Sequence, residues 1–63
     1  MRTALELKED VVQAIGQRAR GEIDLRDLYA AVDLYIESLR EYKKSTGKTF
    51  RIPTRAYVIR AFR

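Results

Sequence analysis

DLRDLYAAVDLYIESLREYKKSTG, residues 24–47, places Leu25, Leu28, Val32, Tyr35, Leu39 and Tyr42 at alternating intervals of three and four. That is the a/d repeat of a helix that packs lengthwise against other helices. Asp24 stands where an N-cap belongs and Gly47 where a left-handed C-cap belongs, so a helix is predicted over about residues 25–46. At 1.5 Å per residue it runs about 33 Å. Lys43 and Lys44 in its last turns complement the negative end of the helix dipole. Tyr29, Ala31, Leu34 and Ile36 extend apolar character beyond a single seam, more than one neighbouring helix covers.

Upstream, Thr3-Ala4-Leu5-Glu6 has the spacing of a capping box, in which the hydroxyl and the carboxylate each satisfy the other residue's orphan N–H. A first helix is therefore predicted over about residues 4–20. Glu6, Glu9 and Asp10 fall in its early turns and Arg18 and Arg20 at its end, as the dipole favours. Leu7, Val11, Ala14 and Ile15 line one face, widened by Leu5, Val12 and Ala19. Gly16 interrupts this helix at a cost of about 1 kcal/mol relative to alanine, which implies a close approach by a neighbouring helix. Gly21 ends it, and only Gly21 to Asp24 separates it from the second helix, so the two fold back as an antiparallel hairpin. Ile23 is positioned as a hydrophobic staple against Leu28.

Beyond Gly47 the pattern weakens. Pro53 biases Ile52 towards an extended conformation and suits the first turn of a helix. Residues 54–62 read as a short helix or ordered arm with Tyr57, Val58, Ala61 and Phe62 on one face and Arg55 and Arg63 outside. A strand alternating Tyr57, Ile59 and Ala61 is the other option. The fold class is thus all-α: a single domain over 1–63, with a helical hairpin at 1–47 and a basic C-terminal arm at 48–63. The surplus apolar surface predicts a dimeric helical bundle, with Leu25, Leu28, Tyr29, Val32, Leu34, Tyr35, Ile36, Leu39 and Tyr42 as the self-association residues.

Composition supports oligomerisation by elimination. A chain of 63 residues buries only about 60% of the surface its unfolded form exposes. Small domains make up the deficit with disulfides, metals or partners. With neither cysteine nor histidine, disulfides and the usual zinc sites are excluded, and no cofactor or metal is implied. No apolar run is long enough for a signal segment or a membrane span, so a soluble cytoplasmic protein is expected.

Charge is unevenly distributed. Residues 1–41 hold all nine acids and six bases; residues 42–63 hold Lys43, Lys44, Lys48, Arg51, Arg55, Arg60 and Arg63 and no acid. An acidic body with a basic arm points to nucleic acid, DNA or RNA, or to an acidic protein surface.

Enzyme chemistry finds little footing. Gly47-Lys48-Thr49 has the tail of a phosphate-binding loop, but Tyr42 occupies the position of the required first glycine and a helix precedes it instead of a strand. Asp24, Asp27, Asp33, Glu37 and Glu41 could supply a carboxylate site only across a dimer. Asp24 and Asp27 already suit a helix N-terminus, while Glu37 and Glu41 read as a solvated face. Activating a catalytic group also needs a partly buried cleft that so short a chain does not easily build. The arm is the functional candidate: Lys43, Lys44, Lys48, Arg51, Arg55, Arg60 and Arg63 interleave with Phe50, Tyr57 and Phe62. That mix combines phosphate contact with base stacking.

A short helix, a second helix ending in Thr46-Gly47 and an arginine-rich tail together resemble the small head-to-tail joining proteins of tailed phages. Those place a β-hairpin between the helices, for which Gly21 to Asp24 leaves no room, so the resemblance assigns no residue a role. The hairpin pattern is also similar, by architecture alone, to small dimeric four-helix-bundle regulators.

Overall fold

Thr3 and Glu6 open the first helix, α1 (Ala4–Ala19), as their spacing predicts. The Glu6 N–H donates to Thr3 Oγ1 at 3.2 Å, and the Thr3 N–H donates to Glu6 Oε1 at 3.3 Å. The helix closes through Gly21, whose φ of 74° permits a paired cap. There the Gly21 N–H donates to the Arg18 carbonyl at 3.0 Å and the Glu22 N–H to the Gln17 carbonyl at 2.8 Å. The computed structural model describes residues 3–63; Met1 and Arg2 lie outside them. It is all-helical, with α2 at Leu25–Thr46 and α3 at Arg55–Phe62, and there is no strand among the described residues.

Asp24 occupies the N-cap of α2 in extended backbone, yet its carboxylate makes no cap hydrogen bond. Its carbonyl instead accepts from the N–H groups of Asp27 and Leu28, at 3.1 and 3.2 Å. At the far end Gly47, φ 70°, donates to the Lys43 carbonyl at 3.0 Å. Thr46 Oγ1 also donates to the Tyr42 carbonyl at 2.7 Å, turning that side chain back onto the helix.

The core is built from three sources. Leu7, Val11 and Ala14 come from α1, Leu28, Val32 and Ile36 from α2, and Val58 from α3. Ile15, Ile23, Ala31, Tyr35, Ile52, Ile59 and Phe62 pack around them, half-buried. Ile23 thus sits on the core that includes Leu28, where a staple would place it. The molecule measures 39 × 23 × 16 Å, set by the length of α2.

Residues 54–62 form a helix, which excludes the alternating strand, but its inward face differs from the predicted one. Thr54 is the N-cap, its Oγ1 accepting from the Tyr57 N–H at 3.2 Å, so the helix starts at Arg55 and Pro53 lies ahead of the cap. Val58, Ile59 and Phe62 turn inward, and Arg55, exposed on the adjoining edge of the same face, lies beside α2. Tyr57 is 64% exposed and Ala61 lies in solvent.

The close approach expected at Gly16 is not made within the chain. A Cβ there would meet only the end of the flexible Arg20 side chain, at 3.3 Å.

Candidate nucleic-acid interface

At the surface beside α2, Arg55 links the C-terminal segment to that helix by a two-pronged, solvent-exposed ion pair. Arg55 Nε donates to Asp33 Oδ1 and Nη2 to Oδ2, each at 2.7 Å. The guanidinium also lies 5.0 Å from the centroid of the Tyr29 ring. Hydrogen bonding from Arg55 holds the Asp33 carboxyl below its ordinary range, and the same contact raises Arg55. Lys43, Lys44, Lys48, Arg51, Arg60 and Arg63 make no ion pair with an acid among the described residues.

Two of these cations lie against aromatic rings. Residues 48–54 turn back beside the last turns of α2, where the Phe50 ring sits 6.2 Å from that of Tyr42. Lys43 Nζ lies 5.7 Å from the Phe50 centroid and Lys48 Nζ 5.5 Å from that of Tyr42. Its interaction with Tyr42 raises the Lys48 pKa above the ordinary lysine value. Lys44 stands beside them with no ring contact among the described residues. Together Arg40, Lys43, Lys44, Gly47, Lys48, Thr49 and Ile52 line an open cleft of about 400 Å³ with no acid in its wall. The C-terminal end of the α2 dipole offsets about half a charge there, leaving a strongly positive surface.

A second cleft, about 390 Å³, adjoins the first through Ile52 and is lined by Arg51, Pro53, Thr54 and Tyr57. A third, about 610 Å³, runs between α2 and the start of α3 and mixes charges: Asp33, Glu37 and Arg40 line it from α2 and Arg55 from α3. Arg40 Nη1 is 3.6 Å from Glu37 Oε2, an exposed ion pair of little strength.

The sequence-predicted residues therefore divide. Lys43, Lys44 and Lys48 share the first cleft and Arg51 and Tyr57 the second, while Arg60 and Arg63 are exposed on α3 and at its end. Arg55 is held by Asp33. Phe62 meets Tyr35 edge-on at 5.4 Å, with Lys8 Nζ 5.4 Å from its centroid, and Phe50 is half-buried. Arg40 was not among the predicted residues, although its place three residues before Lys43 puts it on the same helical face.

Of the nine residues assigned to self-association, Leu28, Val32 and Ile36 lie in the chain's own core, and Tyr29, Tyr35 and Leu39 are half-buried. Leu25, Leu34 and Tyr42 stay exposed at 45%, 56% and 46%. Leu25 and Leu34 are nine residues apart, on opposite sides of α2, so the exposed apolar residues do not form one stripe.

Chemically, this surface can bind anions. Among the described residues no group of three acids is placed to hold a metal ion, no polar side chain is buried, and no helix is long and apolar enough to cross a membrane. Comparison with protein families, curated proteins and solved structures finds no match to the chain.

Proposed function

We propose that the chain is a small non-enzymatic interaction module that binds nucleic acid through this basic face and self-associates through the solvent side of α2. The cleft in which Arg40, Lys43, Lys44 and Lys48 converge without an acid is the observation that carries the proposal. Lysine and arginine bind phosphates by displacing condensed counterions, a contact that carries no sequence information. Arg40, Lys43 and Lys44 stand on α2 and Lys48 directly follows its Gly47 cap, so these cations sit on a formed surface. Less ordering entropy is then lost on binding than with a loose tail.

A second reading, a structural adaptor whose basic face docks on an acidic protein surface, is favoured by a stripe on the outer side of α2. Asp27, Ala30, Leu34, Glu37 and Glu41 fall three and four apart and are all exposed. Such a stripe on one copy complements the basic cleft of another, a head-to-tail contact.

Titration of labelled DNA and RNA strands of about 12 nucleotides separates the readings, at about 0.05 M and 0.2 M salt. Four neutralised phosphates on a single strand correspond to an affinity loss of about 50-fold between those salts. Absence of binding at the lower salt overturns the nucleic-acid reading. Salt-dissociable assemblies in sedimentation, without nucleic acid, would favour the adaptor.

A further inference from the structure

We infer that the nucleic acid is single-stranded and that Tyr57 stacks on one of its bases; this rests on the nucleic-acid reading above. Three of the four tyrosines have partners within the chain. Tyr35 meets Phe62, Tyr42 meets Phe50 and Lys48, and Tyr29 lies under Arg55. Tyr57 is the one whose ring touches no other ring or cation among the described residues, and it is 64% exposed.

Its outward direction is fixed on both sides. Its own N–H is held by Thr54 Oγ1, and the next residue, Val58, is 1% exposed in the core. The ring therefore stands on a rigid turn, and its apolar face is left to water unless a ligand covers it. It lines the cleft shared with Arg51, Ile52, Pro53 and Thr54, and Ile52 is also part of the four-cation cleft. A strand whose phosphates pass Lys43, Lys44 and Lys48 continues to Arg51 and brings a base onto Tyr57. Arg60, three residues further along α3, lies beside the ring on the same helical face.

Duplex nucleic acid fits this surface poorly. Its bases are already stacked on one another, so Tyr57 gains no partner. The cations lie at a helix end and along a loop rather than down one helix that could enter the major groove.

Fluorescence anisotropy with a labelled oligo-dT of about 12 nucleotides, and with a duplex of equal length, tests the inference on the full chain. The expected result is tighter binding of the single strand, a loss of about tenfold for Tyr57→Ala and little change for Tyr57→Phe. The salt dependence should be the same in all three proteins, because no phosphate contact has been removed. Thermal unfolding of Tyr57→Ala, expected to match the parent, checks the fold. If Tyr57→Ala binds like the parent while Lys43→Glu with Lys44→Glu abolishes binding, the stacking inference falls and the nucleic-acid reading stands. No binding of either probe overturns both. Equal binding of poly-glutamate, insensitive to Tyr57→Ala, also overturns both, in favour of an acidic protein partner.

Discussion

Replacing Val58 by alanine tests whether the basic segment is part of the fold. Val58 is the single fully buried residue of α3, at 1% exposure, packed with Val11 and Val32, which have none. The substitution deletes two methyl groups. At about 0.8 kcal/mol each their transfer amounts to about 1.6 kcal/mol. The unfilled cavity raises the cost to about 2–3 kcal/mol. A domain of this size is stable by about 3–9 kcal/mol, so the loss is a large fraction of the whole. In melting temperature it corresponds to roughly 10–20 °C. Circular dichroism at the helical band, with heat and with urea, measures it. Tyr57→Ala, one position away on the outer face, is the control and should change stability by less than about 0.5 kcal/mol. Equal stability of the two variants would refute the packing of α3 through this face.

Other substitutions probe different parts of the structure. Gly16→Ala should stabilise the protein by about 0.5–1 kcal/mol, because a helical interior gains from alanine and the added Cβ meets only the Arg20 side chain. Loss of stability in the same melts would mean that the bare backbone at Gly16 is packed against another molecule. The Asp33–Arg55 pair predicts an acid effect with a defined sign. Arg55 depresses the folded-state pKa of Asp33, so the pair's contribution is present above the ordinary carboxylate value of about 3.9 and is lost as pH falls through the lower folded value. Asp33→Asn should therefore be less stable than the parent at neutral pH, with the gap closing on acidification; a gap that does not change between about pH 5 and pH 2 contradicts the pairing.

The hairpin was legible because its signals are local. The Thr3–Glu6 box, Gly21, Asp24 and Gly47 set the ends, and predicted spans of about 4–20 and 25–46 compare with Ala4–Ala19 and Leu25–Thr46. The phase of α3 was not legible. Apolar residues occupy both sides of so short a helix, and its packing on α1 and α2, which no local pattern reveals, sets which side faces in. Its anchor on α2 joins residues 22 apart in the chain, a pairing no local pattern displays. That same docking explains why the apolar surplus of α2 looked larger than it is: Phe62 covers Tyr35 and Arg55 covers Tyr29. Leu34 remains exposed, and with it the proposal of a partner on that face. The basic residues were identifiable by charge, but their grouping depended on the chain turning back at Gly47, which brings Lys48 to the same cleft as Arg40.

In the proposed function the cations around the α2 end, and not positive charge in general, make the contact with nucleic acid. The slope of log binding constant against log salt for a single-stranded oligonucleotide measures the number of phosphates neutralised, at about 0.7 per contact. Lys44→Ala should lower that slope by about one contact, whereas Arg26→Ala, at an exposed position near the start of α2, should leave it unchanged. Equal slopes for the parent and both variants, or equal losses in the two, would contradict it.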